Sequence, residues 1–447
     1  MTAVADADVD GNRQTVPNPS RDDARRAELA GSSREYAAFA HRLTRFGLVT
    51  DPWFDGRPRF QAEPLRVARA EWDVMARAAE SVAAVLDELA GIVRAQPALL
   101  DEFFALTPVQ KVMWQASAPL WHGIARADVF LRDGDWPAVC EVNCDTPSGL
   151  AEAISLSAVA TASDAATDPN EGLRDAFVAV LSRFAARVRA GGGGPGLTVG
   201  IVYPTELSED LALIALYRGW CEARGWDVVL GSPYNLQPLA DDGVALFGRR
   251  CDVVLRHYKT DWWGERLPVR DDEAPFPDPE PLSQALATLL GAELAGRVAV
   301  VNPFGAVLPQ NKRAFAFCWE AIDRFSPAAQ AIIRAAVPFT RRLEACDREL
   351  LRREREAWVL KTDYGCEGDE VLVGRETPPE MWADWLAHAI PQRWVAQRHF
   401  GSRRDDAGRI ANHGVVLAAG RAAGLYTRLS VGATDAGAIS VAAVIEP

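Results

Sequence analysis

One stretch of this chain, from His122 to Ala153, decides its fold; it reads H-G-I-A-R-A-D-V-F-L-R-D-G-D-W-P-A-V-C-E-V-N-C-D-T-P-S-G-L-A-E-A. Two apolar segments flank Gly134-Asp135, and a glycine at the first central position is typical of a tight hairpin turn. The pattern therefore predicts two antiparallel strands joined by a two-residue turn.

Four polar side chains fall on one face of this predicted hairpin. Folding about its centre places Asp128 opposite Glu141 and Arg126 opposite Asn143, and side chains alternate between the two faces of a strand. Opposed carboxylates destabilise a sheet unless a positive charge lies between them. Oxygen ligands from Asp, Glu and Asn suit Mg²⁺, which bridges substrate phosphates. A solvated hairpin face is the alternative, but the neighbouring residues predict a buried hairpin and favour the metal site: Ile124, Val129, Phe130, Val139 and Val142.

Composition limits the classes of partner. The chain has 447 residues and a net charge of −13, which suits two or three globular domains and disfavours a nucleic-acid surface. It has no apolar run long enough to span a bilayer, and its N-terminus lacks a signal-peptide pattern. We therefore expect a cytoplasmic protein with no membrane partner. None of the seven cysteines forms a C-x-x-C pair, which disfavours zinc and dithiol redox sites.

The pattern along the chain divides it into five segments. Residues 1–20 are polar and aperiodic and predict a disordered tail. Residues 21–120 predict a helical N-terminal region, with one long amphipathic helix from Leu65 to Val93. Residues 121–195 hold the hairpin and two helices. Residues 196–290 alternate strands and helices, which predicts a small parallel α/β unit. Residues 291–447 are rich in strands, with two predicted hairpins.

Two lysines stand where phosphate groups could bind. Lys361 ends an apolar strand and is followed by a loop containing Tyr364, Gly365 and Gly368, whose backbone N–H groups could hold triphosphate oxygens. An ordinary hairpin turn explains this loop equally well. Lys312, in P-Q-N-K, begins a helix that Asn311 could simply cap.

Three further residues carry weaker signals. The strand W-V-A-Q-R-H-F could offer backbone groups and Gln397 to an adenine edge, although a plain sheet strand is the preferred interpretation. Arg126 and Arg428 each lie in an apolar strand, where an arginine needs an anionic partner. That partner is either a bound anion or a structural carboxylate.

Together these motifs resemble the circularly permuted ATP-grasp ligases, the group that includes glutathionylspermidine synthase. The resemblance runs from about Trp121 to Pro447 and rests on separate islands, of which the E-x-N-x-D-T-P run is the most specific. The others are R-A-D, P-Q-N-K-R-A-F-A-F-C-W-E, K-T-D-Y-G-C-E-G, W-V-A-Q and G-L-Y-T-R-L. The family often has G-R-E-G in the glycine loop, whereas Cys366 stands here in place of the arginine, which weakens any claim of the same substrate.

The resemblance implies an α/β protein with a circularly permuted ATP-grasp fold. Residues 121–195 and 291–447 would form its two parts, and 196–290 would be a pre-ATP-grasp-like α/β substrate domain. It implies Mg²⁺ ligands at Asp128, Glu141 and Asn143. Nucleotide contacts would come from Lys312, Lys361, Tyr364, Gly365, Gly368 and Gln397, and catalytic arginines from Arg126 and Arg428. Substrate contacts would come from Asp145, Thr146 and Ser148, with Arg256, His257 and Tyr258 as candidates at a strand end.

The expected activity is therefore an ATP- and Mg²⁺-dependent carboxylate–amine ligase. A small-molecule or peptide carboxylate would become an acyl phosphate, and an amine acceptor would then form the amide. A small-molecule kinase and a non-catalytic ATP-binding regulatory protein are the alternatives. The three oxygen ligands disfavour the regulatory protein, since simple binding does not need them. The sequence does not name the acid or the amine, and it leaves the oligomeric state open, a homodimer included.

Overall fold

The structure is a computed structural model that describes residues 33–54, 56–117, 120–161, 166–188, 196–264, 267–274, 282–365, 370–435 and 437–446. The predicted tail, residues 1–20, lies outside these ranges. The helices are α1 (Ser33–Thr44), α2 (Arg69–Ala95), α3 (Leu99–Glu102), α4 (Pro108–Ser117), α5 (Leu150–Thr161), α6 (Leu173–Ala185), α7 (Leu211–Ala223), α8 (Thr260–Trp263), α9 (Ser283–Leu294), α10 (Arg313–Glu320), α11 (Pro327–Ala336), α12 (Arg348–Arg353) and α13 (Pro379–His388).

Nineteen strands are described. They are β1 (Trp53–Phe54), β2 (Arg57–Pro58), β3 (Phe60–Ala68), β4 (Ile124–Phe130), β5 (Ala138–Asn143), β6 (Thr198–Val202), β7 (Asp227–Gly231), β8 (Leu236–Pro238), β9 (Val244–Leu246), β10 (Arg249–Arg250), β11 (Val253–Arg256), β12 (Ala299–Val301), β13 (Thr340–Arg342), β14 (Trp358–Thr362), β15 (Val371–Val373), β16 (Trp394–Arg398), β17 (Ile410–Ala418), β18 (Arg421–Ser430) and β19 (Ile439–Glu446).

The largest sheet has six strands in the order β3-β19-β18-β17-β4-β5. The predicted hairpin, β4 and β5, lies at one edge, and the predicted C-terminal hairpin, β17 and β18, pairs directly with it. At the other edge β3 pairs in parallel with β19. The N-terminal region is therefore not wholly helical, because residues 53–68 contain three strands and one of them extends this sheet.

The long amphipathic helix is real, but it begins later than its spacing predicts. It is α2, which starts at Arg69, whereas Leu65 and Ala68 belong to β3. Leu65 packs against the main core from this strand, and three-and-four spacing cannot exclude a strand that runs straight into a helix. The buried face of α2 contacts β4, β5, β17 and β18, so this helix covers one face of the six-stranded sheet.

A second sheet is parallel throughout, in the order β12-β11-β6-β7. Three of its strands are those predicted after Leu197, Trp226 and Cys251. The fourth, β12, lies beyond residue 290, so the sheet crosses the predicted domain boundary. Short parallel strands with apolar residues on both faces are typical of a sheet covered on both sides.

A third sheet, in the order β13-β16-β14-β15, carries Lys361 on β14 and Gln397 on β16. The predicted hairpin of β14 and β15 is present and antiparallel. The chain is thus a mixed α/β protein, as its sequence predicts, and the circular permutation of an ATP-grasp fold stays a prediction. Among the described residues, none of the helices combines the length and apolarity needed to cross a membrane.

Candidate active site

The hairpin of β4 and β5 has the register that its sequence predicts. Asp128 pairs with Glu141, and Arg126 pairs with Asn143. The predicted two-residue turn is wrong, because residues 131–137 form a longer loop and the register shifts by one residue just beyond Asp128. Such a shift marks a β-bulge, in which one strand of a pair carries one extra residue. The bulge lies between the loop and the two carboxylates. Asp128 therefore still faces Glu141 although the loop is longer than predicted.

Asp128 is the most heavily bonded carboxylate of the site. Arg126 Nε donates to Oδ1 at 2.8 Å, while Arg428 Nη2 and Asn412 Nδ2 donate to Oδ2 at 3.0 and 3.1 Å. Only 2% of Asp128 is exposed. Burial by itself raises the pKa of a carboxyl, but the attraction of Arg126 and Arg428 outweighs it and lowers the pKa of Asp128 to about 2. Asp128 is therefore ionised at neutral pH.

Glu141 and Asn143 form the next part of the site. Asn143 Nδ2 donates to Glu141 Oε1 at 3.1 Å, and Lys312 Nζ lies 3.7 Å from Glu141 Oε2. Burial is the largest single effect and opposes ionisation of Glu141, but the attraction of Lys312 and Lys361, together with the hydrogen bond from Asn143, outweighs it and lowers the pKa of Glu141. Carboxylate and amide oxygens are the donors that Mg²⁺ prefers, and Glu141 lines an open cleft. The residues present therefore fit a hard divalent cation.

The cleft beside Glu141 also holds both lysines. It contains about 290 Å³ of empty space, including solvent at its mouth, and Lys312, Lys361 and Gln397 line it together with Glu141. Gln397 Nε2 donates to Thr340 Oγ1 at 3.0 Å, which fixes the amide within the third sheet. One predicted metal ligand, Glu141, and three predicted nucleotide contacts thus converge from four separate parts of the sequence.

The glycine loop is described only at its beginning. Gly365 O accepts a hydrogen bond from Lys312 Nζ at 2.5 Å, which joins the two lysine segments. Tyr364 is buried in the main core, and its hydroxyl donates to Val307 O at 2.7 Å. The side chain of Tyr364 thus packs in the core, and its predicted contact with nucleotide stays a prediction. Gly368 and Cys366 lie outside the described residues.

The predicted substrate residues Asp145 and Arg256 bind each other. Arg256 Nη2 lies 2.5 Å from Asp145 Oδ1, and both side chains are almost fully buried. Asp145 Oδ2 also accepts from the N–H of Thr260, while Arg256 donates to Tyr258 O. Asp145 and Arg256 therefore form a buried ion pair, and their predicted contact with substrate stays a prediction. The side chain of Tyr258 is half-buried.

The loop that follows β5 reaches Arg126. Arg126 Nη1 donates to Ser148 O at 2.9 Å and lies 3.5 Å from Ser148 Oγ. Thr146 is half-buried on the same loop. Arg126 therefore bridges a carboxylate of the predicted metal site and the loop predicted to bind the acid substrate.

The two cysteines beside Glu141 and Asn143 lie in surroundings that disfavour a thiolate. Burial raises the pKa of Cys140 to about 12 and raises the pKa of Cys144 well above its usual value. A thiol reacts as its thiolate, so a raised pKa disfavours a nucleophilic role for both side chains. Cys144 is buried, as predicted, whereas Cys140 is half-buried.

Sequence reasoning missed two polar residues of the site. Asn412 bonds Asp128, and it lies directly opposite Arg428 in the predicted C-terminal hairpin, so the register of that hairpin could have revealed it. Gln310 accepts from the N–H groups of Cys144 and Asp145. It stands in the quoted P-Q-N-K motif, but nothing in the sequence links that motif to β5.

A second cavity lies beside Gln397, where β16 ends. It contains about 550 Å³ of empty space, again including solvent at its mouth. The side chains around it are mostly cationic or aromatic: Arg132, Trp319, Arg334, Phe339, Arg398, His399 and Phe400. Phe339 and Arg398 are the sequence neighbours of Thr340 and Gln397 in the first cleft, so the two spaces share the same strand ends.

A comparison with protein families matches residues 55–446 to the family described as Glutathionylspermidine synthase preATP-grasp. The chain belongs to this family. The match confirms the resemblance inferred from the motifs, and it extends the family region into the N-terminal segment that contributes β3. A sequence comparison with curated proteins finds no match.

Solved structures are similar to this member of the family in fold. A glutathione synthetase-like effector from Globodera pallida has a TM-score of 0.57 at 10% identity, covering 92% of this chain and 96% of that chain. A candidate gamma-glutamylcysteine synthetase from Methylobacillus flagellatus KT has a TM-score of 0.43 at 13% identity, covering 76% and 83%. At such identities the first similarity supports the shared fold alone.

Proposed function

We propose that this chain is an ATP- and Mg²⁺-dependent carboxylate–amine ligase that works through an acyl phosphate. The observation that carries the proposal is one cleft in which Glu141, Lys312 and Lys361 meet, beside a buried Asp128 bonded to two arginines. Membership of a family described by a synthase supports it.

The charges of the site favour a polyphosphate ligand. Four cations, Arg126, Arg428, Lys312 and Lys361, face two carboxylates, Asp128 and Glu141, which leaves the site net positive in an acidic protein. Uncompensated charge in a buried site is costly until a ligand neutralises it. A nucleotide triphosphate accompanied by Mg²⁺ carries negative charge of the required sign.

The use of lysine supports the same ligand. The chain contains only four lysines, while arginine supplies the remaining 44 of its 48 basic residues. Two of the four lysines line this one cleft. A lysine ammonium is a compact point charge that suits phosphate oxygens, whereas arginine prefers planar bidentate partners. We propose that Lys312 and Lys361 hold the phosphate oxygens that do not react.

The base of the nucleotide would lie towards Gln397 and the second cavity. The aromatic side chains there suit a purine ring. In this proposal the triphosphate would lie near Glu141 and the reacting phosphoryl group near Asp128 and Arg126.

In the proposed reaction, a substrate carboxylate oxygen attacks the terminal phosphorus of ATP. The bond from that phosphorus to the bridging oxygen breaks, and ADP leaves. Arg126 and Arg428 neutralise charge on the transferred group, and bound Mg²⁺ would polarise the phosphate oxygens. An amine nitrogen then attacks the acyl carbon, phosphate leaves, and the nitrogen loses a proton to give the amide.

The parallel sheet supplies a place for the organic substrates. Its strand order reverses between β6 and β11, and ligands of open α/β sheets bind outside the carboxyl ends of the strands at such a point. His257 and Tyr258 follow β11 there, and His257 Nε2 lies 3.1 Å from Asp210 Oδ1. We propose this crevice as the pocket for acid or amine.

Hydroxylamine trapping tests the proposal. Purified protein is incubated with ATP, Mg²⁺ and pooled carboxylic acids, with and without hydroxylamine and amines, and ADP and products are measured by mass spectrometry. A ligase gives acid-dependent ADP, a hydroxamate without any amine, and an amide with one. Glu141→Gln should reduce ADP formation by about a hundredfold or more without changing the melting temperature, because a metal ligand is lost.

The alternatives give different products. A kinase acting on a hydroxyl would yield a stable phosphorylated compound that hydroxylamine leaves unchanged. A regulatory binder would release no ADP with any acid. ADP formation that depends on a substrate, without any trapped hydroxamate or amide, would refute the ligase proposal.

A further inference from the structure

Gln310 occupies a junction between the two halves of the site. It lies two residues before Lys312, is half-buried and lines the cleft. Its Oε1 accepts hydrogen bonds from the backbone N–H groups of Cys144 and Asp145, at 2.9 and 3.1 Å. These are the two N–H groups that follow the last residue of β5. Gln310 therefore fastens the end of the metal-ligand strand to the lysine segment.

The other end of the same amide reaches Asn143. Gln310 Nε2 lies 3.3 Å from Asn143 Oδ1, and Asn143 Nδ2 donates to Glu141 Oε1 at 3.1 Å. A side-chain amide has one accepting end and one donating end. Because two backbone N–H groups require the oxygen of Gln310 on their side, its NH₂ group must face Asn143. Asn143 must then accept through Oδ1 and donate towards Glu141.

We propose that Gln310 is a positioning residue that fixes which atom of Asn143 faces the bound cation. This inference rests on the metal site of the proposed function. An amide oxygen has a second lone pair, so Asn143 Oδ1 can accept from Gln310 and still coordinate Mg²⁺. If Asn143 turned over, its NH₂ group would point at the cation and repel it. The backbone of β5 thus sets the polarity of a metal ligand through one glutamine.

The test compares Mn²⁺ affinity in the presence of ADP, measured by electron paramagnetic resonance. Gln310→Met keeps a side chain of similar length and removes both hydrogen-bonding ends. We expect the affinity to fall about tenfold, as is usual when a partner that orients a metal ligand is removed. Gln284→Met, an exposed residue of α9, is the matched control and should leave the affinity unchanged.

A second background separates positioning from simple structural support. In Asn143→Asp the ligand is a carboxylate with two equivalent oxygens, so it needs no orientation. In that background Gln310→Met should lower the Mn²⁺ affinity by less than about threefold. This is well below the roughly tenfold loss expected when a residue that orients a metal ligand is removed. Equal losses of Mn²⁺ affinity in both backgrounds, or no loss in either, would overturn this inference and leave the proposed function standing. Failure of the wild-type chain to bind Mn²⁺ with ADP would overturn the metal site of the proposed function, and the inference with it.

Discussion

Asp128 and Lys361 illustrate how single residues acquire their properties from opposite charges. Asp128 is ionised although it is buried, because two guanidinium groups and one amide bond its oxygens. Lys361 lies within strand β14 and is only 8% exposed, yet it faces a cleft that also holds Glu141. No hydrogen-bonded anion of Lys361 is found among the described residues, and a buried ammonium without one is expensive. We therefore propose that a ligand brings the negative charge.

Replacing Lys361 should therefore weaken nucleotide binding. Lys361→Ala is expected to weaken the free energy of binding of an ATP analogue by roughly 1–3 kcal/mol, since a charge-assisted contact with phosphate is lost. Isothermal titration calorimetry measures this directly. Lys111→Ala removes a lysine whose partner is the exposed Asp101, and it should bind as wild type does. Wild-type affinity in Lys361→Ala would show that Lys361 makes no nucleotide contact.

At the scale of elements, the pairing of β17 with β4 explains how Arg126 reaches Asp128. Gly414 of β17 lies directly opposite Asp128, and the side chain of Arg126 passes over it. A Cβ atom at position 414 would lie 2.7 Å from Arg126 Cδ and 3.0 Å from Tyr426 O. Such approaches are too close, so only glycine lets the arginine cross the strand.

Gly414→Ala should displace Arg126 and destabilise the site. We expect a loss of about 1–3 kcal/mol in stability, as overpacking usually costs, together with reduced ADP formation. Melting temperature and activity are the readouts. In the Arg126→Ala background the stability cost should shrink, because the crowded side chain is absent. Gly291→Ala is a control in α9 where a Cβ meets nothing within 4 Å. Additive losses in the double variant would contradict this account.

At the scale of the whole molecule, one buried group of polar residues joins the hairpin to the parallel sheet. Asn302, at the end of β12, donates to Ile124 O and Asp145 O and accepts from the N–H groups of Gly123 and Ile124. Arg256, at the end of β11, binds Asp145 and also donates to Asn302 O. The candidate active site and the proposed substrate crevice are thus held together by charged and polar side chains.

Breaking the buried ion pair should destabilise the whole chain. Arg256→Met leaves Asp145 as an uncompensated buried charge, which typically costs about 3–5 kcal/mol. The apparent melting temperature should fall clearly, and Asp145→Asn in the same chain should restore part of the loss. Arg249→Met removes an exposed ion pair with Asp227 and should change stability by at most about 1 kcal/mol. Equal melting temperatures for the two arginine variants would contradict a structural role for Arg256.

The sequence by itself determined the local features of the site. The pairing of Asp128 with Glu141 follows from the alternation of side chains within one short hairpin. The predicted register is correct although the turn is longer than predicted. The separate motifs, above all the E-x-N-x-D-T-P run, led to the family, which residues 55–446 match. Alternation and motif spacing act over a few residues, and for that reason a single sequence is enough to reveal them.

Only the tertiary structure decided which distant residues meet. Arg428 reaches Asp128 from 300 positions along the chain, and Arg256, predicted to touch substrate, is neutralised by Asp145. The pairing of β3 with β19 likewise assigns a segment of the N-terminal region to the main sheet. A buried charge or an unpaired strand edge shows in a sequence only as a need for a partner. Which partner satisfies that need depends on how the sheets pack, because several arginines and strands could meet it equally well.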